Sequence, residues 1–182
     1  MKPRGPLMIE HRLIEKMIGI IRGQIDSIEE SHRVDPLLID TIVDFVRTYA
    51  DRTHHGKEED ILFKKLDNKN LSASDKRIME ELIEEHKYGR EIVAELVDAN
   101  LRYVQGDEES ISDIISKLKA LADFYPDHIK KEDDVFFPDT EKYFTEGELN
   151  HMLDDFWEFD RKMIHEKYQN VVDQTSKLDA LQ

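Results

Sequence analysis

Two stretches of this chain repeat one arrangement of side chains, and that arrangement is productive only on paired helices. The first reads His54-His55-Gly56-Lys57-Glu58-Glu59-Asp60-Ile61-Leu62-Phe63, the second His128-Ile129-Lys130-Lys131-Glu132-Asp133-Asp134-Val135-Phe136-Phe137. In each, a histidine is followed four residues later by a glutamate, then by two more acids and apolar residues. Residues i and i+4 lie one above the other on a helix face, so each stretch aims an imidazole and a carboxylate at one point. Two such helices face to face form a metal site.

The repeat is larger than these stretches. Glu10-His11 precedes His54 by about one helical hairpin, and Glu85-His86 precedes His128 by nearly the same distance. His11 to His86 is a step of 75 residues, while His54 to His128 and Glu58 to Glu132 are steps of 74. A period this long is no solenoid repeat. It fits a duplication that closes a two-fold pseudo-symmetric bundle.

The helical stripes agree. From about Pro6 to Glu30, His11, Ile14, Ile18, Ile21, Ile25 and Ile28 recur at steps of three and four. A second stripe, Leu13, Met17 and Ile20, predicts cover on another side. Asp35-Pro36 is an N-cap followed by proline at N1, opening a helix to about Leu66. Its seam is Ile39, Ile42, Val43, Val46, Ala50, His54, Glu58 and Ile61 or Leu62. This register turns His55 away, toward Arg52 and Glu59. Ser72 or Ser74 caps a third helix to about Gln105, with seam Met79, Leu82, His86, Gly89, Val93, Leu96, Asn100 and Val104. The fourth runs from about Glu108 to Phe137-Pro138. Its stripe from Ile111 through Tyr125, His128, Glu132 and Val135 keeps period, with Pro126 expected to kink or widen it. Thr145-x-x-Glu148 is a capping box for a fifth helix to about Gln174. The predicted fold is all-α: an up-down four-helix bundle with an in-core di-metal site over residues 1–142. Residues 143–182 form an additional long helix that packs on the bundle or on a partner subunit.

Charge and composition remove other readings. A net charge of −15 argues against sequence-independent nucleic-acid binding. No apolar run is long enough to span a membrane, and no apolar segment after the first residues marks a signal peptide. Cysteine is absent, which excludes disulfides, thiolate ligands and iron–sulfur clusters and makes a cytoplasmic location the default expectation. There is no Gly-x-Ser-x-Gly, phosphate-binding glycine loop or His-Glu-x-x-His.

Each of four seams thus places a histidine at one level: His11, His54, His86 and His128. Glu58 and Glu132 join them. Burying four imidazoles and two carboxylates with no metal would leave costly unpaired groups. Two divalent ions account for the set, with terminal histidines on each ion and both carboxylates bridging. Imidazole and carboxylate without sulfur suit iron, and also manganese or zinc; carboxylate–histidine sites are an established use of helix-bundle cores.

Over about residues 7 to 138 this pattern resembles the hemerythrin-like family, in its branch with a His and a His-x-x-x-Glu in each half. The resemblance implies a non-haem di-iron centre bridged by Glu58, Glu132 and an oxo or hydroxo group. It implies a small diatomic ligand, O2 or nitric oxide, that is bound or sensed. It also admits redox turnover of nitric oxide, peroxide or Fe(II), or iron donation to damaged iron centres. Repair proteins of this kind often carry a cysteine-bearing segment, which the lack of cysteine argues against. Oxygen carriers of the family have a fifth histidine on the third helix, one turn from the first. Arg90 or Leu82 stands there here, which moves the reading away from oxygen transport. Glu15, Tyr125 and Asp133 are candidates for the vacant place. His55 with Glu59 is the disfavoured register, Glu10 and Glu85 read as surface acids ahead of a role supporting the histidines of neighbouring helices, and His32, His151 and His165 read as non-ligands. With no output domain evident, a sensor would act through a partner or through a homodimer formed by the fifth helix.

Overall fold

A computed structural model of the chain describes residues 2–179, which are helical with no strand among them. Five long helical rods follow in order. α1 is Arg4–Ser31, α2 spans 36–66, α3 is Ala73–Val104, α4 spans 110–140 and α5 is Glu146–Asp179. Their starts follow from local chemistry. Asp35 accepts hydrogen bonds from the backbone N–H groups of Leu37 and Leu38, and Ser72 accepts one from Asp75. The Thr145–Glu148 capping box closes in both directions, at 2.8 and 3.3 Å. α1 ends on His32, whose left-handed φ of 54° lets its N–H reach the Ile28 carbonyl.

α2 and α4 are not uniform. α2 is α-helical over Pro36–Phe45, then a wider π-helix over Val46–His55 and again over Glu58–Phe63. α4 is α-helical over Ser110–Lys131 and becomes π-helical at Glu132–Phe136. Such widenings accompany functional sites often. They also correct the stripe of the fourth helix: the wider turn slips the register, so Phe136 is buried while Val135 is 39% exposed. The helix does not stop at Pro138, which sits in the first turn of a last α segment, Phe137–Thr140, where its missing N–H is not needed. Nor does Pro126 interrupt α4. The Ala122 carbonyl that loses its usual donor there accepts from Arg22 Nη2 at 3.0 Å.

α4 packs along α1 and α3, and α2 packs on α3 and reaches α1 through its π-helical part. The main stripe of α1 is buried throughout, but Leu13 and Ile20 are exposed, so the expected second cover is absent. Val104, expected in the α3 seam, is exposed too. The interior is two apolar clusters. One collects Ile14–Ile28 side chains of α1 with Ile42, Val46, Val93, Leu118, Tyr125 and Ile129. The other collects Leu7, Leu62, Phe63, Leu82, Phe136, Phe137, Met152 and Phe156. On each of α1 to α4 the switch from one cluster to the other falls at the predicted histidine.

α5 lies against the π-helical part of α2. Gly56 permits this approach, because a Cβ there would stand 2.8 Å from the tip of the Phe159 ring. Lys57 reaches Asp160 at 2.8 Å and Lys65 reaches Asp155 at 2.9 Å across the same contact. Trp157 on the far side is 59% exposed. No helix among the described residues is long and apolar enough to cross a membrane.

Candidate metal centre

His11, His54, Glu58, His86, His128 and Glu132 meet between the two apolar clusters, each no more than 2% exposed. Each carboxylate turns one oxygen to each half of the site. Glu58 Oε1 is 3.5 Å from His54 Nε2 and its Oε2 is 3.4 Å from His86 Nε2. Glu132 Oε2 is 3.2 Å from His11 Nε2 and its Oε1 is 3.4 Å from His128 Nε2. One donor atom from each of His11, His54, Glu58 and Glu132 lies within 4.8 Å of the others.

A shell of acids fixes how the rings face. His11 Nδ1–H donates to Asp133 at 2.7 Å and His86 Nδ1–H to Glu59 at 2.7 Å. His54 Nδ1–H donates to Glu10 and His128 Nδ1–H to Glu85, both at 2.9 Å. Every one of these rings therefore presents Nε2 inward, as metal-ligating histidines do. Glu10 and Glu85 are not the free surface acids of the sequence reading: each buttresses the histidine of a neighbouring helix and is itself held by a lysine, Lys57 or Lys131. Asp133 and Glu59, each one residue past Glu132 or Glu58, hold the histidine of the other half. Arg12 pairs with Asp133, and Arg90 with Glu59 at 2.5 Å and Asp51 at 2.8 Å.

Several of the buried atoms left without partners are ones an ion would take. Both oxygens of Glu58 and of Glu132 and the Nε2 atoms of His86 and His128 are buried and unpaired among the described residues. His11 Nε2 and His54 Nε2 lie 2.8 Å apart, facing each other. Electrostatics are correspondingly uneven. Burial opposes charge on His11, but Asp133 and Glu132 outweigh it and push its pKa up to about 9. Burial takes His54 down to about 4. Burial, with the charge of Glu132 added, raises Glu58 well above the usual carboxylate range. Burial acts the same way on Glu132, but His128, His11 and His86 around it outweigh that and hold it well below. A donor set of carboxylate oxygens and imidazole nitrogens alone fits divalent first-row metals.

His55 is where the sequence reading went wrong. It is not turned away: it is 2% exposed, stacked on His86 with ring centroids 3.8 Å apart, and burial holds its pKa well down. A stripe one residue wide missed it, because the buried face of α2 is broader than one seam. The three candidates for the vacant place fall elsewhere. Glu15 is exposed and paired with Arg12 at 2.9 Å. Asp133 orients His11, and Tyr125 is buried in the wall of a cavity. That cavity, of about 210 Å³, is lined by His55, His86, Asp51, Arg47, Arg90 and Tyr125 among others, and reaches the site from outside. His32, His151 and His165 are exposed.

Residues 6–140 match the model of the hemerythrin HHE cation binding domain. No curated protein and no solved structure matches the chain.

Proposed function

The chain belongs to the hemerythrin HHE cation-binding family, and we propose from that membership that it is a non-haem di-iron protein which binds or senses O2 or a related small ligand. One observation carries the reading: six of the buried atoms left without hydrogen-bond partners are the inward-facing oxygens and nitrogens of the two glutamates and of the α3 and α4 histidines, gathered at one place. His11 and His54 would hold one iron, His86 and His128 the other, and Glu58 and Glu132 would bridge them inside an up-down four-helix bundle formed by residues 1–142. When bound, iron supplies reversible redox chemistry and an affinity for diatomic ligands. The chain's own residues orient the imidazoles through Glu10, Glu59, Glu85 and Asp133, and exclude bulk water with Leu7, Phe63, Phe137 and Ile14. They also leave one cavity, walled by Tyr125 and Arg90, through which a small ligand reaches the interior. In the second unit, residues 143–182, the helix Glu146–Asp179 docks on α2, and residues 180–182 lie outside the described residues. Its outward side chains Trp157, Ile164 and Tyr168, each more than half exposed, give a second copy of the chain a surface to meet.

The test is metal content. Protein reconstituted anaerobically with Fe(II) should hold two irons per chain, and the double variant His54→Ala/His128→Ala should hold none. Exposure to O2 should give a ligand-to-metal charge-transfer band that reverses on deoxygenation. Rapid irreversible bleaching with turnover of peroxide or nitric oxide would assign the same centre to an enzyme. Wild-type protein that takes up no iron would end the proposal.

A further inference from the structure

The six donors just assigned leave one buried, chemically able side chain unemployed. His55 is 2% exposed, and neither of its ring nitrogens has a hydrogen-bond partner. Asp51 Oδ1 lies 3.5 Å from its Nδ1 without forming a hydrogen bond. Leaving both nitrogens of an imidazole dry is unfavourable, so packing has to justify it or another role must.

The internal repeat answers the packing question. The residue that follows the α4 histidine, as His55 follows His54, is Ile129, and it is 3% exposed in the first apolar cluster. Both halves of the molecule bury this position, and the second half fills it with an ordinary aliphatic side chain. The shape of the interior therefore asks for no imidazole here.

The surroundings of His55 do. A donor nitrogen of its ring lies within 4.8 Å of donor nitrogens of His86 and His128. Its plane is parallel to the His86 ring, 9° apart, and edge-on to the His128 ring at 5.4 Å. The three donor nitrogens are thus close enough to share one ion, and the His55 ring, now face to face with His86, has only to turn its edge toward it. The place on α3 where a fifth histidine was sought holds Arg90, which is turned outward to Glu59 and Asp51.

We propose that His55 is a metal ligand, a third imidazole beside His86 and His128, supplied by the helix that also carries His54. This rests on the di-metal reading and sharpens it. The pseudo-symmetric site becomes unequal: His55, His86 and His128 serve one ion, and only His11 and His54 serve the other. With the bridging carboxylates shared, the ion held by His11 and His54 has one protein donor fewer. That position, not the three-histidine one, has a coordination place to spare for an incoming ligand.

The experiment uses the full chain, stripped of metal and titrated anaerobically with Fe(II) against a competing chelator. Two variants are compared with wild type, His55→Leu and His55→Gln, the second retaining length and polarity without an imidazole. Wild type should bind two irons, and both variants should bind one of them at least about tenfold more weakly. Metal-free His55→Leu should unfold at the same or a higher urea concentration than metal-free wild type, because it buries no unpaired nitrogen. Wild-type Mössbauer spectra should resolve two iron environments. Variants that keep both irons at wild-type affinity overturn the proposal while leaving the di-iron reading intact. A His55→Gln variant that alone keeps both, or a metal-free His55→Leu protein that is markedly less stable, assigns His55 to packing and overturns it too. Wild type that binds no iron removes both readings together.

Discussion

Lys57 and Lys131 stand at matching places in the two halves, each beside the glutamate that holds a site histidine, yet their settings differ. The Lys57 side chain is fully buried, between Glu10, which is 12% exposed, and Asp160 of α5. Its ammonium also lies 5.9 Å from the Phe156 ring. Lys131 is 29% exposed and pairs with Glu85, 28% exposed, and with Glu81 at 3.6 Å. Replacing either lysine with methionine keeps the stem and deletes the charge. At Lys57 the deletion strands a carboxylate that water barely reaches, and removing one partner of a buried pair costs about 3–5 kcal/mol. Glu10 retains the His54 N–H, and Asp160 is partly open to solvent, so the low end, about 3 kcal/mol, applies. At Lys131 both carboxylates can be hydrated, and the loss should stay below about 1 kcal/mol. The difference, about 2 kcal/mol, is roughly a 30-fold change in the folding equilibrium. Urea unfolding of chelator-treated Lys57→Met and Lys131→Met, followed by far-ultraviolet circular dichroism, measures both. Equal losses, or a larger loss at Lys131, would refute the argument that burial by α5 sets the strength of the Lys57 contacts.

Glu10→Ala and Glu85→Ala should each weaken Fe(II) binding about 10- to 100-fold, because a ligating imidazole loses the acceptor that orients it; chelator competition reads the affinity, and wild-type values would show these acids to be bystanders. Gly56→Ala should cost about 1–3 kcal/mol by pushing the Phe159 ring. Amide exchange in the first half of α5 should accelerate with it, while exchange in α3 and α4 stays unchanged. Asp35→Ala should lower stability by about 1 kcal/mol, since two backbone donors at the start of α2 lose their acceptor. A denaturation midpoint equal to that of wild type would contradict that.

Much of this was legible from residue order. The caps at Asp35, Ser72 and Thr145 are local chemistry, and local chemistry survives folding. The histidine levels on four stripes were legible because a polar residue on an apolar stripe stands out against its neighbours. What the stripe could not carry was a change of pitch. Periodicity assumes an α-helix, so the π-helical turns at 46–55 and 132–136 shifted Phe136 inward and Val135 outward unseen. His55 was missed for a related reason: a single seam is narrower than the buried face of a helix covered on two sides. Aligning the two halves, rather than extending one stripe, exposes it, since its counterpart is Ile129. The buttressing by Glu10 and Glu85 was open in the sequence but ranked below a place on the surface. These acids point away from the histidine next to them in sequence, and only tertiary packing brings them to the histidine of a neighbouring helix.

The polar layer that separates the two apolar clusters has a consequence for how the molecule comes apart. Dispersion and burial hold each cluster together, but neither acts across a sheet of unpaired oxygens and nitrogens. In metal-free protein the clusters are therefore joined mainly by the four helical backbones and by the hydrogen bonds of the histidines to Glu10, Glu59, Glu85 and Asp133. The smaller one, with Phe156 and Met152 of α5 inside it, can open while the larger stays folded. Metal held there from all four helices, as proposed, would turn the weakest plane of the interior into a cross-link. Occupancy of the centre would then decide whether this chain melts as two units or as one.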